Sequence, residues 1–389
     1  MKTKIFSNYI DLSKLDYLFI SLFLMLVVIG LLILASASIQ FSDSITGSPI
    51  NFFVKQLSHL LIGILLLSVI VLIPLIFWEK YDRWILLFGI ILLLLVFIPG
   101  IGVEVNGANR WVRVAGFGLQ PSEVMKFISI IYISAYSVRR INDLQTNWLG
   151  FFRPAMLIIF IVSLILLQPD LGTSAVIFTS VLGILFIAGV HLKQFILVIT
   201  MAIIGIFSLI YFVPWRWERI ISFTDPWSDP YGTGYQLTLS LMSIGRGDWF
   251  GVGLGEGLMK MGYLPDAHTD FIFSVVIEEM GLLFGIFLIS LLFGMAFRCF
   301  YIAREALTKN LFFGFFAAYG VAILLGLHTF INVGVTTGLL PTKGLTLPFV
   351  SYGGTNLLIM CALIGLVLRI DYETKIAMPV AHISKRASF

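Results

Sequence analysis

The chain alternates between long apolar runs and short polar interruptions over almost its whole length. A hydrocarbon layer about 30 Å thick is crossed by roughly 20 apolar residues in helix. Runs of that kind predict ten spans, near residues 17–36, 54–77, 84–99, 123–138, 154–168, 174–190, 194–213, 271–298, 311–336 and 355–370. The fifth and sixth flank a very short turn, Gln168-Pro169-Asp170-Leu171-Gly172. The expected fold class is all-α: a polytopic membrane helix bundle of about ten transmembrane helices, one integral membrane domain over 1–389. The first run is long enough to span and has no small-residue cleavage site at a suitable distance, so it is read as a retained helix.

Basic residues orient the spans, because Lys and Arg accumulate on the cytoplasmic side. With the N-terminus inside, 16 of the 25 Lys and Arg fall inside, 8 outside, and Lys126 lies within a span. Both termini are thus expected in the cytoplasm. Three outer loops follow, at about 100–122, 214–270 and 337–354, the largest between spans seven and eight. They are rich in Gly, Pro, Trp and charge, whereas the inner loops are mostly short and basic. Chemistry gathered on one face predicts a site that faces outward. No linker divides the chain, and no internal repeat is evident, which disfavours an inverted-repeat transporter.

Composition closes off the soluble classes. Hydrophobic residues make up 59% and charged residues 12%, with a mean hydropathy of +1.01. Soluble domains carry about 25% charged residues. The net charge of +4 therefore reads as topology signal, not as a nucleic-acid footprint. Cys299 and Cys361 fall in apolar segments and imply neither disulfide nor metal framework.

Candidate chemistry clusters at the outer loops. Asp266, His268 and Asp270 stand together just before the eighth span. Burial at the membrane boundary raises a carboxyl pKa, a condition that suits a general base. The structural alternative is that Thr269 or Asp270 caps the helix. Glu278 lies on the Asp270 face of that span, and for Glu279 an ion pair within the bundle is preferred. Ser122 is a candidate cap for the fourth span, and Glu123 and Lys126 pair at i,i+3. That pair either sets helix rotation or lines a cavity for a charged headgroup. Arg110, Trp111, Arg113, Arg246 and Lys343 are outer residues in Gly-rich backbone, where cations suit a pyrophosphate. Each cation alone is more often a solvated or interface-anchoring residue, and Trp111, Trp215, Trp217 and Trp227 fit an interfacial belt at least as well as a sugar platform. The run Gly251–Gly257 follows no βαβ strand and is read as flexible outer-loop backbone. His59, His191, His328 and His382 show no ligand spacing.

Together, NGANRWVRVAGFGLQPSE (106–123), QPDLGT (168–173), DPWSDPYGTGYQLTLSLMSIGRGDWFGVGLGEG (225–257), YLPDAHTDFIF (263–273) and GLLPTKGLTLPFVSYGG (338–354) resemble the SEDS family of bacterial shape, elongation, division and sporulation proteins. The resemblance covers nearly the whole chain and is nearest to the division branch. It implies an inner-membrane peptidoglycan glycosyltransferase that polymerises lipid II into β-1,4 glycan at the outer face, at the division septum. By the resemblance, the catalytic aspartate falls on Asp270, and Glu123 and Lys126 match the cavity pair. Lys343 and Arg246 at the pyrophosphate, with a divalent cation (Mg2+ or Mn2+) assisting, are our own extension of it. Trp111, Arg110, His268, Glu278 and Ser351 complete the expected substrate-binding set. A class B penicillin-binding protein, other division proteins and membrane lipid are the implied partners, with no nucleic acid. A lipid II flippase and a non-catalytic scaffold are the alternatives, and intramembrane charge argues against the scaffold.

Overall fold

The computed structural model describes residues 11–105, 108–114 and 117–377. The basic terminal residues Lys2, Lys4, Lys385 and Arg386, together with His382 and the Asn106-Gly107 start of the first motif, lie outside them. The element order is α1 (Tyr17–Thr46), α2 (Asn51–Leu72), α3 (Leu75–Leu95), β1 (Gly102–Val105), β2 (Ala108–Val114), β3 (Phe117–Leu119), α4 (Pro121–Arg139), α5 (Ile141–Thr146), α6 (Trp148–Leu167), α7 (Leu171–Ile187), α8 (Leu192–Tyr211), α9 (Pro214–Thr224), α10 (Tyr235–Gly247), α11 (Ile272–Thr308), α12 (Phe312–Thr336) and α13 (Gly354–Ile376). The ten apolar runs coincide with α1–α4, α6–α8 and α11–α13. Six of these, α1, α2, α6, α11, α12 and α13, are long and apolar enough to cross a membrane, and α7 and α8 are shorter apolar helices. Charged residues, Asp82 on α3 and Glu123 and Lys126 on α4 among them, distinguish the other two. The chain is a multi-pass membrane protein.

The bundle is built around α13, whose apolar window is 89% buried, against 28% for α2 on the periphery. Lipid tails offer no hydrophobic drive for helices to associate, so close packing of small residues does that work. A Cβ at Gly63 would sit 2.9 Å from Cys361 Sγ, and one at Gly365 would sit 2.8 Å from Leu67 O. These two glycines let α2 and α13 approach backbone to backbone.

Three expectations need correction. First, the stretch 100–122 is not plain loop: β1 pairs antiparallel with β2, and β2 with β3. Ala108 and Val112 are buried while Asn109 and Arg113 are exposed. A sheet that buries one face leaves no continuous apolar run, so a search for spans passes over it.

Second, the stretch 214–270 is not an outer surface loop throughout. Its helix α10 lies along the first turns of α11, and α11 is broken at Gly281 (φ 84°, ψ 168°). Broken helices at membrane depth must have their freed backbone groups satisfied by protein. The segment after α10 does this. Val252 N–H donates to Glu278 O (2.9 Å) and Gly253 N–H to Glu279 O (3.0 Å). In return, Leu282 N–H donates to Asp248 O (2.9 Å) and Leu283 N–H to Trp249 O (3.3 Å). From Ile272 to Gly281 is about 15 Å of helix, so the segment descends roughly that far into the bundle. Its glycines make the contact: a Cβ at Gly247 would lie 2.0 Å from Ile277 O, and one at Gly251 would lie 2.2 Å from Glu279 O. The Gly251–Gly257 run is therefore docked at its start, where the sequence suggested free backbone.

Third, the stretch 337–354 also dips inward. The Phe349 carbonyl would be 2.2 Å from a Cβ at Gly30 in the middle of α1, and the Phe349 ring meets Phe23 edge-on at 5.6 Å.

Gly281→Val places a β-branched residue at a positive φ and drives its Cβ into Trp249 O, 2.3 Å away. Backbone strain alone is expected to cost about 1–3 kcal/mol. A clear fall in the thermal midpoint of detergent-solubilised protein checks this. Gly294→Val, at a helical position with no heavy atom within 4 Å, should change the midpoint little.

Candidate active site

Asp270 ends the outer segment that leads into α11. The N-cap of α11 is Phe271, with no side-chain capping bond, so neither Asp270 nor Thr269 serves as the cap. The Asp270 carboxyl is half-buried and faces the backbone of the 337–353 segment: a Cβ at Gly344 would lie 2.9 Å from Asp270 Oδ2. Burial, then the nearby carboxylates of Asp266 and Asp170, push its pKa up to about 7, and the Arg110 guanidinium pulls the other way. Burial also raises Asp266.

The surrounding groups are fixed by short loops and helix ends. Arg110, on β2, donates from Nε to Gln168 O (2.8 Å) and from Nη2 to Pro169 O (2.9 Å). This ties the sheet to the turn between α6 and α7. Asp170 caps α7 by accepting from Thr173 N–H at 3.1 Å. Its other oxygen accepts from Ser122 Oγ (3.1 Å) and Gln120 Nε2 (3.2 Å). Ser122 is thus engaged by Asp170, and Gln120 takes the N-cap position of α4. One turn along, Lys126 Nζ and Glu123 Oε2 are 2.6 Å apart and buried. The ends of α4, α7 and α11 and the sheet therefore gather Asp170, Arg110, Glu123, Lys126 and Asp270 into one polar patch. Lys343, half-buried, adjoins Gly344 at its edge.

The other expected residues have identifiable places. Ser351 Oγ accepts from Leu347 N–H (2.7 Å) and donates to Thr269 O (2.5 Å), so it props the segment before Asp270. The Trp111 ring is half-buried and covers Gly118 on the neighbouring strand. The His268 ring packs against Phe41 (centroids 4.2 Å), Phe52 (5.6 Å) and Tyr352 (6.0 Å). Burial there lowers its pKa to about 4, so it is neutral at physiological pH.

Arg246 and Glu278 lie deeper and are joined to each other at 2.8 Å. Glu278 follows Asp270 by eight residues, the last six of them along α11, about 9 Å of helix. Glu278 is fully buried and also accepts from Leu258 N–H (2.9 Å), Met259 N–H (3.3 Å) and Ser243 Oγ (3.1 Å). Glu279 has the ion pair expected of it: Lys260 Nζ lies 2.5 Å away, and Ser36 Oγ donates to the same carboxylate.

Sequence reasoning passed over three residues that matter here. Asp170 was quoted only as part of a turn, although a carboxylate between two spans with no adjacent base is itself a signal. Lys260 was placed on the outer face and is 7% exposed. Asn332 is a lone amide in an apolar span. Its Nδ2 donates to Asp270 O (2.9 Å) and Leu345 O (2.5 Å).

Among the described residues, no group of three His, Cys, Asp or Glu side chains converges to hold a metal ion. Among these residues the patch offers no protein cage for Mg2+ or Mn2+.

The model of the FtsW/RodA/SpoVE cell cycle protein family matches residues 16–376. The chain belongs to this family. A probable peptidoglycan glycosyltransferase FtsW from Coxiella burnetii is 44% identical over 352 residues, 90% of this chain and 95% of the relative. A second, from Buchnera aphidicola, is 42% identical over 348 residues, 90% and 87% of the two chains. Among solved structures, a chain from work on polymerization and crosslinking by a peptidoglycan synthase complex superposes with a TM-score of 0.76 at 25% identity, covering 92% of this chain and 98% of that one. The rod shape determining protein RodA of Thermus thermophilus gives 0.67 at 25% identity, covering 92% and 96%. As an FtsW/RodA/SpoVE protein the chain has the polytopic helical fold of these neighbours, and its polar patch brings together four of the expected residues, Arg110, Glu123, Lys126 and Asp270, with Lys343 at its edge.

The buried His268 is expected to make the FtsW/RodA/SpoVE fold acid-sensitive. Its folded pKa, about 4, lies below the ordinary 6.5, so the unfolded chain binds the extra proton between those values. The resulting penalty is absent above pH 6.5 and grows as pH falls towards 4, to at most about 3 kcal/mol. Thermal melts across that window should show a smaller acid loss for His268→Phe than for wild type. Equal losses would remove His268 from the acid response.

Proposed function

We propose that the chain is a peptidoglycan glycosyltransferase that polymerises lipid II at the outer face of the cytoplasmic membrane, with Asp270 as general base. The observation that carries this is a carboxyl held near pH 7 beside Arg110 and Gly344. A base is most effective when its pKa lies near the working pH. Asp270 takes the proton from the 4-hydroxyl of the acceptor sugar as that oxygen attacks the anomeric carbon of the donor. The new C–O bond forms as the bond to undecaprenyl pyrophosphate breaks, and the α-linked donor becomes a β-1,4 glycan. Negative charge develops on the departing pyrophosphate, and Arg110 and Lys343 are the cations placed to stabilise it. The proton on Asp270 then returns to outer water. Glu123 and Lys126 form a neutralised polar wall within the patch. Arg246 remains with Glu278 in this reading and holds the segment below.

The groups around Asp270 collect at one end of the bundle, while buried carboxylates at the other end are closed into ion pairs, Asp16–Arg298 and Asp82–Arg139 among them, which favours a one-sided enzyme over a carrier with matched machinery at both ends. The partner in this reading is a class B penicillin-binding protein that crosslinks the strands, and the place of action is the division septum. One relative structure comes from a complex that couples polymerization to crosslinking, which supports that pairing.

The test is polymerisation of labelled lipid II by purified protein with its class B partner, glycans being resolved on a gel. Asp270→Asn is expected to lower the rate by about a hundredfold to ten-thousandfold, with folding and partner binding intact. Equal ladders from both proteins would dismiss Asp270. Wild-type activity should fall as pH drops through about 7, because the protonated carboxyl accepts no proton. Arg110 holds that pKa down, so Arg110→Gln should move the acid limb to higher pH. A limb that stays in place or moves lower would contradict the assignment of Arg110 to this carboxyl.

A further inference from the structure

Asn332 lies in the last turns of α12 and is 1% exposed. Its amide faces two carbonyls from different parts of the chain, Asp270 O and Leu345 O. Two carbonyl acceptors require the amine end of the amide to point at them. One carbonyl belongs to the proposed base. The other directly follows Gly344, whose backbone lies against that base's carboxyl. The two segments come from opposite ends of the α11–α12 pair, and a single side chain on α12 clamps them together. The Oδ1 end of the same amide is buried with no partner, so the side chain is kept at a cost, and its removal would leave both carbonyls without their donor.

We propose that Asn332 is a positioning residue that fixes the Asp270 carboxyl against the Lys343–Leu345 backbone, and so sets the geometry of the base and the dryness of its surroundings. The inference rests on the glycosyltransferase reading above. The charged groups that act on Asp270 come from three directions: Asp266 in its own segment, Asp170 at the N-cap of α7, and Arg110 on β2; Lys343 is the neighbour of Gly344 in the facing segment. Asn332 carries no charge. It acts by closing the gap between the Asp270 and Gly344 backbones, which keeps water from the carboxyl. Burial is the largest cause of the raised pKa, so loosening the clamp moves that pKa back towards the ordinary carboxylate range.

Asn332→Leu keeps the volume and removes both donors. Polymerisation of labelled lipid II with the class B partner, measured from pH 5 to 9, separates the roles. The expected result has two parts. The rate on the alkaline plateau falls about a hundredfold, the loss expected of a reacting group displaced by about 1 Å, with kcat and kcat/KM falling together. The acid limb moves from about pH 7 to lower pH. A plain loop tether would lower stability, or all rates equally, and leave the limb where wild type has it. An unmoved limb in a folded variant overturns the inference, whatever the rate. If the leucine variant does not fold, Asn332→Ala carries the same two expectations. Asp270→Asn, measured alongside, separates the two levels. If it retains activity, the functional reading itself fails. If it is inactive while Asn332→Leu has the wild-type limb, only the role of Asn332 fails.

Discussion

Two adjacent carboxylates two turns inside a membrane helix impose the strongest demand in this molecule. An ionised group at that depth is tolerated only with partners that meet its charge and its lone pairs. Glu278 is supplied by Arg246, Ser243 and two backbone N–H groups, and Glu279 by Lys260 and Ser36. Five of these six donors come from α10 and the segment that follows it, so meeting the demand draws that stretch down into the bundle. The break at Gly281 completes the arrangement, because it frees backbone groups that the same segment satisfies. The outer part of α11 is consequently clasped on one side by α10 and its glycine-rich continuation. The position of Asp270 at its head follows from that clasp.

The chemistry depends on a second, shallower set of constraints. Arg110 fastens the sheet to the α6–α7 turn, Asp170 joins that turn to α4, and Ser351 and Asn332 draw the 337–353 segment onto the head of α11. Each tie uses a polar side chain on a backbone carbonyl or a helix end, where unsatisfied groups are already present. The outcome is a carboxyl too buried to ionise as readily as an ordinary one, yet within reach of the Arg110 guanidinium.

Much of this was legible in the sequence. The ten apolar runs marked the ten long helices, because membrane length and helical rise leave little freedom. The pairing of Glu123 with Lys126 followed from i,i+3 spacing, and an ion pair for Glu279 followed from the cost of its burial. Other features were not legible, for physical reasons. The sheet hides its apolar face in alternation. The descent of 235–262 and of 337–353 rests on contacts between residues far apart in sequence, such as Gly247 with Ile277 and Gly30 with Phe349. Arg246 was assigned to a phosphate because its partner, Glu278, is 32 residues away and nothing local announces the pair. His268 reads as a polar residue beside two aspartates, and only the fold shows it inside an aromatic cluster.

The central claim is that sugar transfer takes place at the Asp270 carboxyl. A structure of the chain with its class B partner and two lipid II molecules, trapped with Asp270→Asn, tests it most directly. The account predicts an acceptor 4-hydroxyl within hydrogen-bond reach of residue 270 and a donor pyrophosphate on the side of Arg110 and Lys343. Sugars bound instead against another carboxylate, with residue 270 facing only protein, would contradict it.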